Sequence, residues 1–353
     1  MSGRALVVGV TGISGGNVAM QLLADDWEVL GLCRNPADVD ARIGTLTADL
    51  EDAESVRSAI EGTKPTHVFY TTWSRQPTEA ANCEVNGRML ENLLDAVSGE
   101  NSVRHVALVT GLKHYLGPFE AYAKVQPDTP FSEEQARLPY ENFYYVQEDI
   151  LFAAAERDGF TWTVHRPHTL IGFALGNAMN MGVTLAVYAA ICRETGRGFH
   201  FPGSREQWEA VTDVTDASLL AEHLVWAATT TAAANHALNI VNGDVFRWRR
   251  LWPRLAEALE VDAVPFDGEV TPLQDQMADA SEIWPEIVQR HGLRDTDVEK
   301  IASWWHTDAD LGRTIETFTD MGRSRRLGFD GIRDTQSSFL ELFSRLRADR
   351  IVP

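Results

Sequence analysis

Ala5-Leu6-Val7-Val8-Gly9-Val10-Thr11-Gly12-Ile13-Ser14-Gly15, followed by an apolar-periodic run through Val18, Leu22 and Leu23 and then by Glu28-Val29-Leu30-Gly31-Leu32, decides the fold of this chain. The first four residues predict a buried strand, the periodic run a helix, and the last five a second strand. Strand, glycine-rich turn, helix and strand make one βαβ unit. Glycines at 9, 12 and 15 let the backbone turn tightly and approach a pyrophosphate. The free N–H groups and dipole of the following helix favour that anion. Gly9, Thr11, Gly12, Ile13 and Gly15 are therefore candidate dinucleotide contacts. The spacing is G-x-x-G-x-x-G rather than the commoner G-x-G-x-x-G. By itself such a motif is weak, and its strand–turn–helix context carries the weight. The second strand runs into Cys33-Arg34-Asn35, where an acidic residue would bind a ribose 2′-hydroxyl. Arg34 instead predicts a 2′-phosphate, so NADP(H) rather than NAD(H), with Asn35 beside it.

The βα alternation continues. Strands are expected over Leu46–Leu50, His67–Trp73, His105–Thr110 and Trp162–Pro167, with helices over Ser55–Glu61, Glu79–Val97 and Asn142–Asp158. This predicts an α/β fold with a Rossmann-type, doubly wound parallel sheet whose ligand lies at the strand C-terminal ends. Those ends carry Gly9, Arg34, Asp49-Leu50, Thr71-Thr72-Trp73, Thr110-Gly111 and Pro167. Asp49 reads equally as an adenine contact or a helix cap. The dinucleotide-binding part spans 1–172, with segments near 210–242 (Ala210–Thr215 and Ala237–Asn242) returning to the sheet or flanking it. Residues 173–209 and 243–353 form a smaller, mainly helical substrate lobe. Its tryptophans (Trp248, Trp252, Trp284, Trp304, Trp305) read as core packing before substrate contact.

The bulk numbers bound the function. The 353 residues exceed the usual single-core limit. A formal net charge of −20 argues against nucleic acid or an anionic membrane as partner. It also gives a lone arginine at a phosphate position more meaning. Cys33, Cys83 and Cys192 are too few and scattered for a disulfide framework or a zinc site, so no metal is expected, and they suit a reducing cytoplasm. The N-terminus passes straight into the first strand, leaving no room for a signal peptide. The longest apolar run, Met179 to Cys192, is short of a membrane span and reads as a core or subunit-interface helix.

The catalytic pattern departs from the usual one. A short-chain reductase commonly places Tyr and Lys four apart on one helix, the Lys lowering the Tyr pKa. Here Tyr144 and Tyr145 are followed four residues later by Glu148 and Asp149. A lysine stands instead at Lys113, just past the fifth strand, where its charge can reach the space of the helix tyrosine.

At this point the chain resembles a known family. Gly9-Val10-Thr11-Gly12-Ile13, Val68-Phe69-Tyr70-Thr71-Thr72-Trp73, the run Thr110-Gly111-Leu112-Lys113-His114-Tyr115-Leu116-Gly117-Pro118-Phe119, Asn142-Phe143-Tyr144-Tyr145, His165-Arg166-Pro167, Asn239 to Phe246 and the final Ile351-Val352-Pro353 are similar to the progesterone 5β-reductase/iridoid synthase-like (PRISE) family of extended short-chain dehydrogenases/reductases. The resemblance spans nearly the whole chain. It implies an NADPH-dependent enone/enal reductase acting on the activated C=C bond of a small molecule, with Tyr144 as catalytic tyrosine and Lys113 as its partner. Tyr145 reads as packing, because adjacent helix positions point apart. The resemblance also implies that Pro167 and Ile171 offer backbone groups to the nicotinamide carboxamide and that Phe119 walls the substrate pocket. Where the family often carries Trp-Trp-Phe, this chain has Trp304-Trp305-His306. That departure removes the ground for carrying over bulky steroid-like or terpenoid specificity and points to a more polar or wider pocket containing His306. A homodimer through the Glu79–Val97 and Asn142–Asp158 helices is expected. The competing readings are a ketone/aldehyde reductase or epimerase-like enzyme, and a non-catalytic NADP(H) sensor.

Overall fold

The computed structural model describes residues 3–37, 39–118, 128–174 and 179–353. In chain order they form β1 (Arg4–Val8), α1 (Ile13–Ala24), β2 (Glu28–Cys33), β3 (Gly44–Thr47), α2 (Ala53–Ile60), β4 (His67–Tyr70), α3 (Glu79–Ser98), β5 (His105–Val109), α4 (Lys113–Leu116), α5 (Phe143–Asp158), β6 (Thr161–Pro167), β7 (Leu170–Ile171), α6 (Met181–Thr195), β8 (Phe199–His200), α7 (Arg205–Glu209), β9 (Thr215–Asp216), α8 (Ala217–Thr229) and β10 (His236–Ile240). Seven strands make one sheet in the order β10-β6-β5-β4-β1-β2-β3, every neighbouring pair parallel. The chain steps from β1 outward through β2 to β3, then returns to the other side of β1 as β4. That reversal opens a crevice above β1 and β4, the place where a doubly wound sheet binds its ligand.

The central strands are apolar on both faces because helices cover both. Val18, Ala19 and Leu22 of α1 pack with Leu220 and Leu224 of α8 on one face. Val56 and Ile60 of α2, Leu90 and Leu93 of α3 and Leu151 of α5 cover the other. Several helix starts have side-chain caps. Asp52 Oδ1 accepts the N–H groups of Glu54 and Ser55 at 3.0 and 3.2 Å, so capping of α2 belongs to Asp52 and not to Asp49. No helix among the described residues is long and apolar enough to cross a membrane.

Several strands end earlier than their apolar runs. β3 stops at Thr47, and Ala48-Asp49-Leu50 leaves the sheet edge as a turn in which Asp49 Oδ1 accepts the Glu51 N–H. β4 stops at Tyr70, although the Thr71 N–H and Oγ1 both still donate to the Val8 carbonyl of β1, at 3.1 and 2.7 Å. Ala237–Asn242 enters the main sheet as β10 beside β6. Ala210–Thr215 does not become a strand of that sheet. Thr215–Asp216 pairs with β7 away from it, and Thr212 makes isolated bridges to Phe246 and Thr317, while Asp213 accepts the Thr319 N–H. Every residue from Met181 to Cys192 is buried within this one chain, so α6 is the core of the C-terminal lobe and not a subunit interface. Trp252 stacks on Phe199 at 4.1 Å, and its indole N–H donates to the Phe199 carbonyl. Trp248, Trp252 and Trp284 are all buried in that core.

A chain of buried histidines links the sheet to α8. His165 Nδ1 lies 2.9 Å from His223 Nδ1, and both His165 Nε2 and His105 Nε2 meet Thr163 Oγ1. Burial first, then the neighbouring charges of Arg325 and His67 respectively, pushes His223 and His105 down to about 3. Burial likewise holds His165 well below its usual value. The unfolded chain takes up these protons near pH 6.5, whereas the folded chain protonates His223 and His105 only near pH 3. Unfolding therefore absorbs protons between the two, and stability present above pH 6.5 is lost as pH falls toward 3. The slope is about 1.4 kcal/mol per pH unit for each such histidine. Thermal unfolding followed from pH 7.5 to 4 is expected to show Tm falling from about pH 6.5 downward. A Tm level down to pH 4.5 would contradict this assignment.

Candidate active site

The site begins at the β1–α1 turn. Gly9 has φ +85°, a left-handed conformation, and its N–H donates to the Leu32 carbonyl of β2. Gly15 permits a close approach, since a Cβ there would lie 2.1 Å from the Gly9 carbonyl oxygen and 2.8 Å from Thr71 Oγ1. Gly12, at the N-cap of α1, supplies no capping side chain, and no acidic residue stands in the first turn. The helix start thus keeps its positive end open to an anion. These are the features a dinucleotide pyrophosphate needs, and the chain fits one.

Two cavities share Gly9, Thr11, Thr72 and Trp73 and run along the C-terminal ends of the strands. The smaller, about 130 Å³, is also lined by Arg34, Asp49 and Leu50. The larger, about 560 Å³, is lined by Gly12, Ile13, Thr71, Thr110, Gly111, Lys113, Tyr144, Pro167 and His306 among others. The remaining expected residues lie elsewhere. Gly15 packs beneath the turn. Asn35 is exposed and lies off both cavity walls, its Oδ1 accepting the Ala37 N–H. Ile171 is fully buried in the C-terminal lobe, and its neighbours Thr169 and Leu170 reach the cavity instead. Phe119 lies outside the described residues.

Three helix starts converge on the larger cavity. Lys113 opens α4, Tyr144 is the second residue of α5, and Glu79 opens α3. Lys113 Nζ pairs with Glu79 Oε2, both side chains only 10% exposed. Glu79 Oε1 accepts the Phe143 N–H at 2.9 Å, an N–H of the first turn of α5 that the helix itself leaves unsatisfied. Asn142 Oδ1 accepts the Tyr144 N–H, while its amide donates to the Lys113 carbonyl at 2.8 Å. Glu79 and Asn142 thereby hold the lysine and the tyrosine in one frame. Gly111 leaves room for the phenol, since a Cβ there would stand 3.3 Å from Tyr144 Oη. Trp73 stacks on Phe143 at 5.4 Å, and Lys113 Nζ lies 4.8 Å from the same Phe143 ring, giving this wall an apolar, low-dielectric lining.

Tyr145 points away. Its hydroxyl donates to the His114 carbonyl at 2.5 Å and accepts the Leu138 N–H. Glu148 is turned from Tyr144 as well, meeting Arg166 and Arg137 at 2.9 Å each. Burial pushes the Glu148 carboxyl up, but the facing His114 nitrogen and the Arg166 charge overcome this and hold it at about 2. Glu79 gave no sign of its role in the sequence, because an acidic residue at a helix start reads as a complement to the dipole. Asp310 and Arg313, which also line the larger cavity, carry no motif that singles them out.

A doubly wound parallel sheet, a glycine turn at its switch point and a lysine–tyrosine frame at the ends of β5 and α5 define an extended short-chain dehydrogenase/reductase fold. Residues 38–353 match the PRISE-like Rossmann-fold domain, and the chain belongs to that family. It is 41% identical to an (S)-8-oxocitronellyl enol synthase of Nepeta cataria, covering 99% of this chain and 93% of that protein. It is 40% identical to a 3-oxo-Δ4,5-steroid 5β-reductase of Arabidopsis thaliana over the same shares. Among solved structures, a UDP-glucose 4-epimerase of Thermotoga maritima superposes with a TM-score of 0.70 at 15% identity, covering 98% of this chain and 99% of that one. That likeness is one of fold.

Proposed function

We propose that this protein is an NADPH-dependent reductase of the activated C=C bond of α,β-unsaturated ketones or aldehydes. One observation carries the reading: Lys113 and Tyr144 line one cavity beside the glycine turn, without a lysine four residues after the tyrosine. The relatives named as a steroid 5β-reductase and as enol synthases support it. The dinucleotide would be held by the glycine turn, Thr71-Thr72-Trp73, Asp49-Leu50, Thr110-Gly111 and Pro167, with Arg34 on the 2′-phosphate. When bound, it supplies a hydride.

The chain's own residues handle the charge that results. As the enone β-carbon gains hydride, electron density moves to the carbonyl oxygen as an enolate. The Tyr144 hydroxyl donates a hydrogen bond to that oxygen, and the Lys113 ammonium adds its field. Each preorganised donor of this kind is worth roughly 3–4 kcal/mol. The stacked rings of Trp73 and Phe143 flank this wall, and an apolar flank strengthens both interactions. A solvent-derived proton then completes the α-carbon. Division of labour between a cofactor part (1–172, with the returning 210–242) and a substrate lobe (173–209 and 243–353) belongs to the same proposal. So do a cytoplasmic location, which the unpaired thiols of Cys33, Cys83 and Cys192 suit, and homodimerisation through α3 and α5. A single-chain mass in solution would overturn the last.

The test follows NADPH consumption with 2-cyclohexen-1-one and identifies the product. Saturated ketone is expected; allylic alcohol would overturn the reading. Arg34→Ala is expected to cut the preference for NADPH over NADH by about ten- to a hundredfold, the span of a lost charge-assisted hydrogen bond. Paired titrations with the two cofactors check this, and an unchanged preference would remove Arg34 from the phosphate site.

A further inference from the structure

Beyond the lysine–tyrosine frame, the larger cavity has a second polar wall that enone reduction does not use. It is built by His306 and Asp310 on the helix Trp304–Leu311, together with Arg313, His168 and Thr169. His306 and Asp310 are four residues apart, so they share one helix face. Asp310 is held from behind: Arg313 Nη2 pairs with its Oδ1, and Thr169 Oγ1 donates to its Oδ2 at 2.8 Å. Arg313 is itself fixed by His168 Nε2 at 2.7 Å, and His168 Nδ1 by Asp213 at 2.7 Å. Because Arg313 only donates, His168 Nε2 must accept, which places the His168 proton on Nδ1 toward Asp213.

His306 Nδ1, like Arg313 Nε, is buried without a hydrogen-bond partner among the described residues. A buried N–H without a partner is rarer and more costly than an unused lone pair. The neutral ring therefore keeps its lone pair at Nδ1 and carries its proton on Nε2. That leaves His306 a donor and Asp310 an acceptor with spare lone pairs, side by side on a cavity wall. A carboxylate would face the Asp310 carboxylate on the same wall, and a carbonyl would use only the donor. A hydroxyl uses both.

We propose that His306 and Asp310 form a hydroxyl-binding subsite, so that the preferred substrates are enones carrying a hydroxyl group away from the conjugated carbonyl. The substrate oxygen accepts from His306 Nε2–H and its proton is donated to Asp310. This specificity rests on the reductase reading, whereas the subsite itself is testable without turnover.

Two measurements on the NADPH-loaded enzyme separate them. The first compares kcat/KM for (E)-hept-3-en-2-one, its 7-hydroxy derivative and its 7-carboxylate analogue. The second compares binding of the saturated pair, heptan-2-one and 7-hydroxyheptan-2-one. A preference of about ten- to a hundredfold for the hydroxyl compound is expected in both, the range of a hydrogen bond to a charged group. In His306→Phe and in Asp310→Asn the ratio should collapse toward one. Equal binding of the saturated pair, or a ratio unmoved in His306→Phe, overturns the subsite whatever the turnover. Preferred binding of the hydroxyl ketone without turnover of any enone leaves the subsite standing and overturns the reductase reading. Preference for the carboxylate overturns the hydroxyl assignment.

Discussion

Tyr144→Phe is expected to lower enone turnover by about 10²- to 10³-fold, the loss that follows removal of one oxyanion donor. The substitution deletes a single oxygen and keeps the ring. The start of α5 should hold its place, since Asn142 and Glu79 fix it through the Tyr144 and Phe143 backbone N–H groups. Dinucleotide affinity should stay within a factor of about two, because the glycine turn and Arg34 belong to other elements. Single-turnover rates and a cofactor titration on the same preparation check both halves. A loss below about threefold would remove Tyr144 from the chemistry. An equal loss of cofactor binding would make it structural.

Glu148→Gln is expected to destabilise the fold by about 3–5 kcal/mol, the usual cost of breaking a buried ion pair from one side. The Glu148 and Arg166 side chains are 2% and 5% exposed and meet at 2.9 Å. Arg166 also donates to Tyr115 Oη at 3.2 Å, and Tyr115 donates to Asn239 of β10 at 2.7 Å. The substitution would strand the Arg166 charge beneath α5 and loosen the edge of the sheet. Against a typical total of about 5–15 kcal/mol, this is a large share. Urea unfolding of the two proteins measures it, and a difference below about 1 kcal/mol would show that relaxation or water satisfies Arg166. Because Glu148 is held at about 2, above its unfolded value near 4.5 it contributes stability that is lost as pH falls toward 2. The variant should therefore lose its disadvantage in acid.

How much of this was legible in the sequence depended on the distance between partners. The βαβ start, the parallel sheet and the apolar run of β1 are local patterns, because a strand covered on both faces is mostly apolar; β5 and β6 also bury His105, His165 and Arg166, whose partners lie far along the chain. Strand ends were less legible. His67–Trp73 reads as one strand, yet β4 ends at Tyr70, and the Thr71 hydroxyl is held by the Val8 carbonyl, 63 residues away. Val211 and Val214 look like a strand, but the side chains beside them bond the segment near Thr317 and Thr319. Lys113 and Tyr144 are visible as motifs, whereas Glu79, which joins them, lies 34 residues before the lysine and 64 before Phe143. The His306–Asp310 wall needs Thr169, 141 residues from Asp310, to orient it. No spacing rule in the sequence reports such pairings.

In the proposed reaction charge gathers on an enone oxygen while hydride reaches the β-carbon. Deuterium transfer tests it most directly: the enzyme is supplied with NADPH deuterated at the transferable position and with 2-cyclohexen-1-one, and the label is located by NMR. Deuterium at the β-carbon of cyclohexanone is the predicted result. Deuterium on the carbinol carbon of cyclohexenol would contradict it and make the protein a carbonyl reductase.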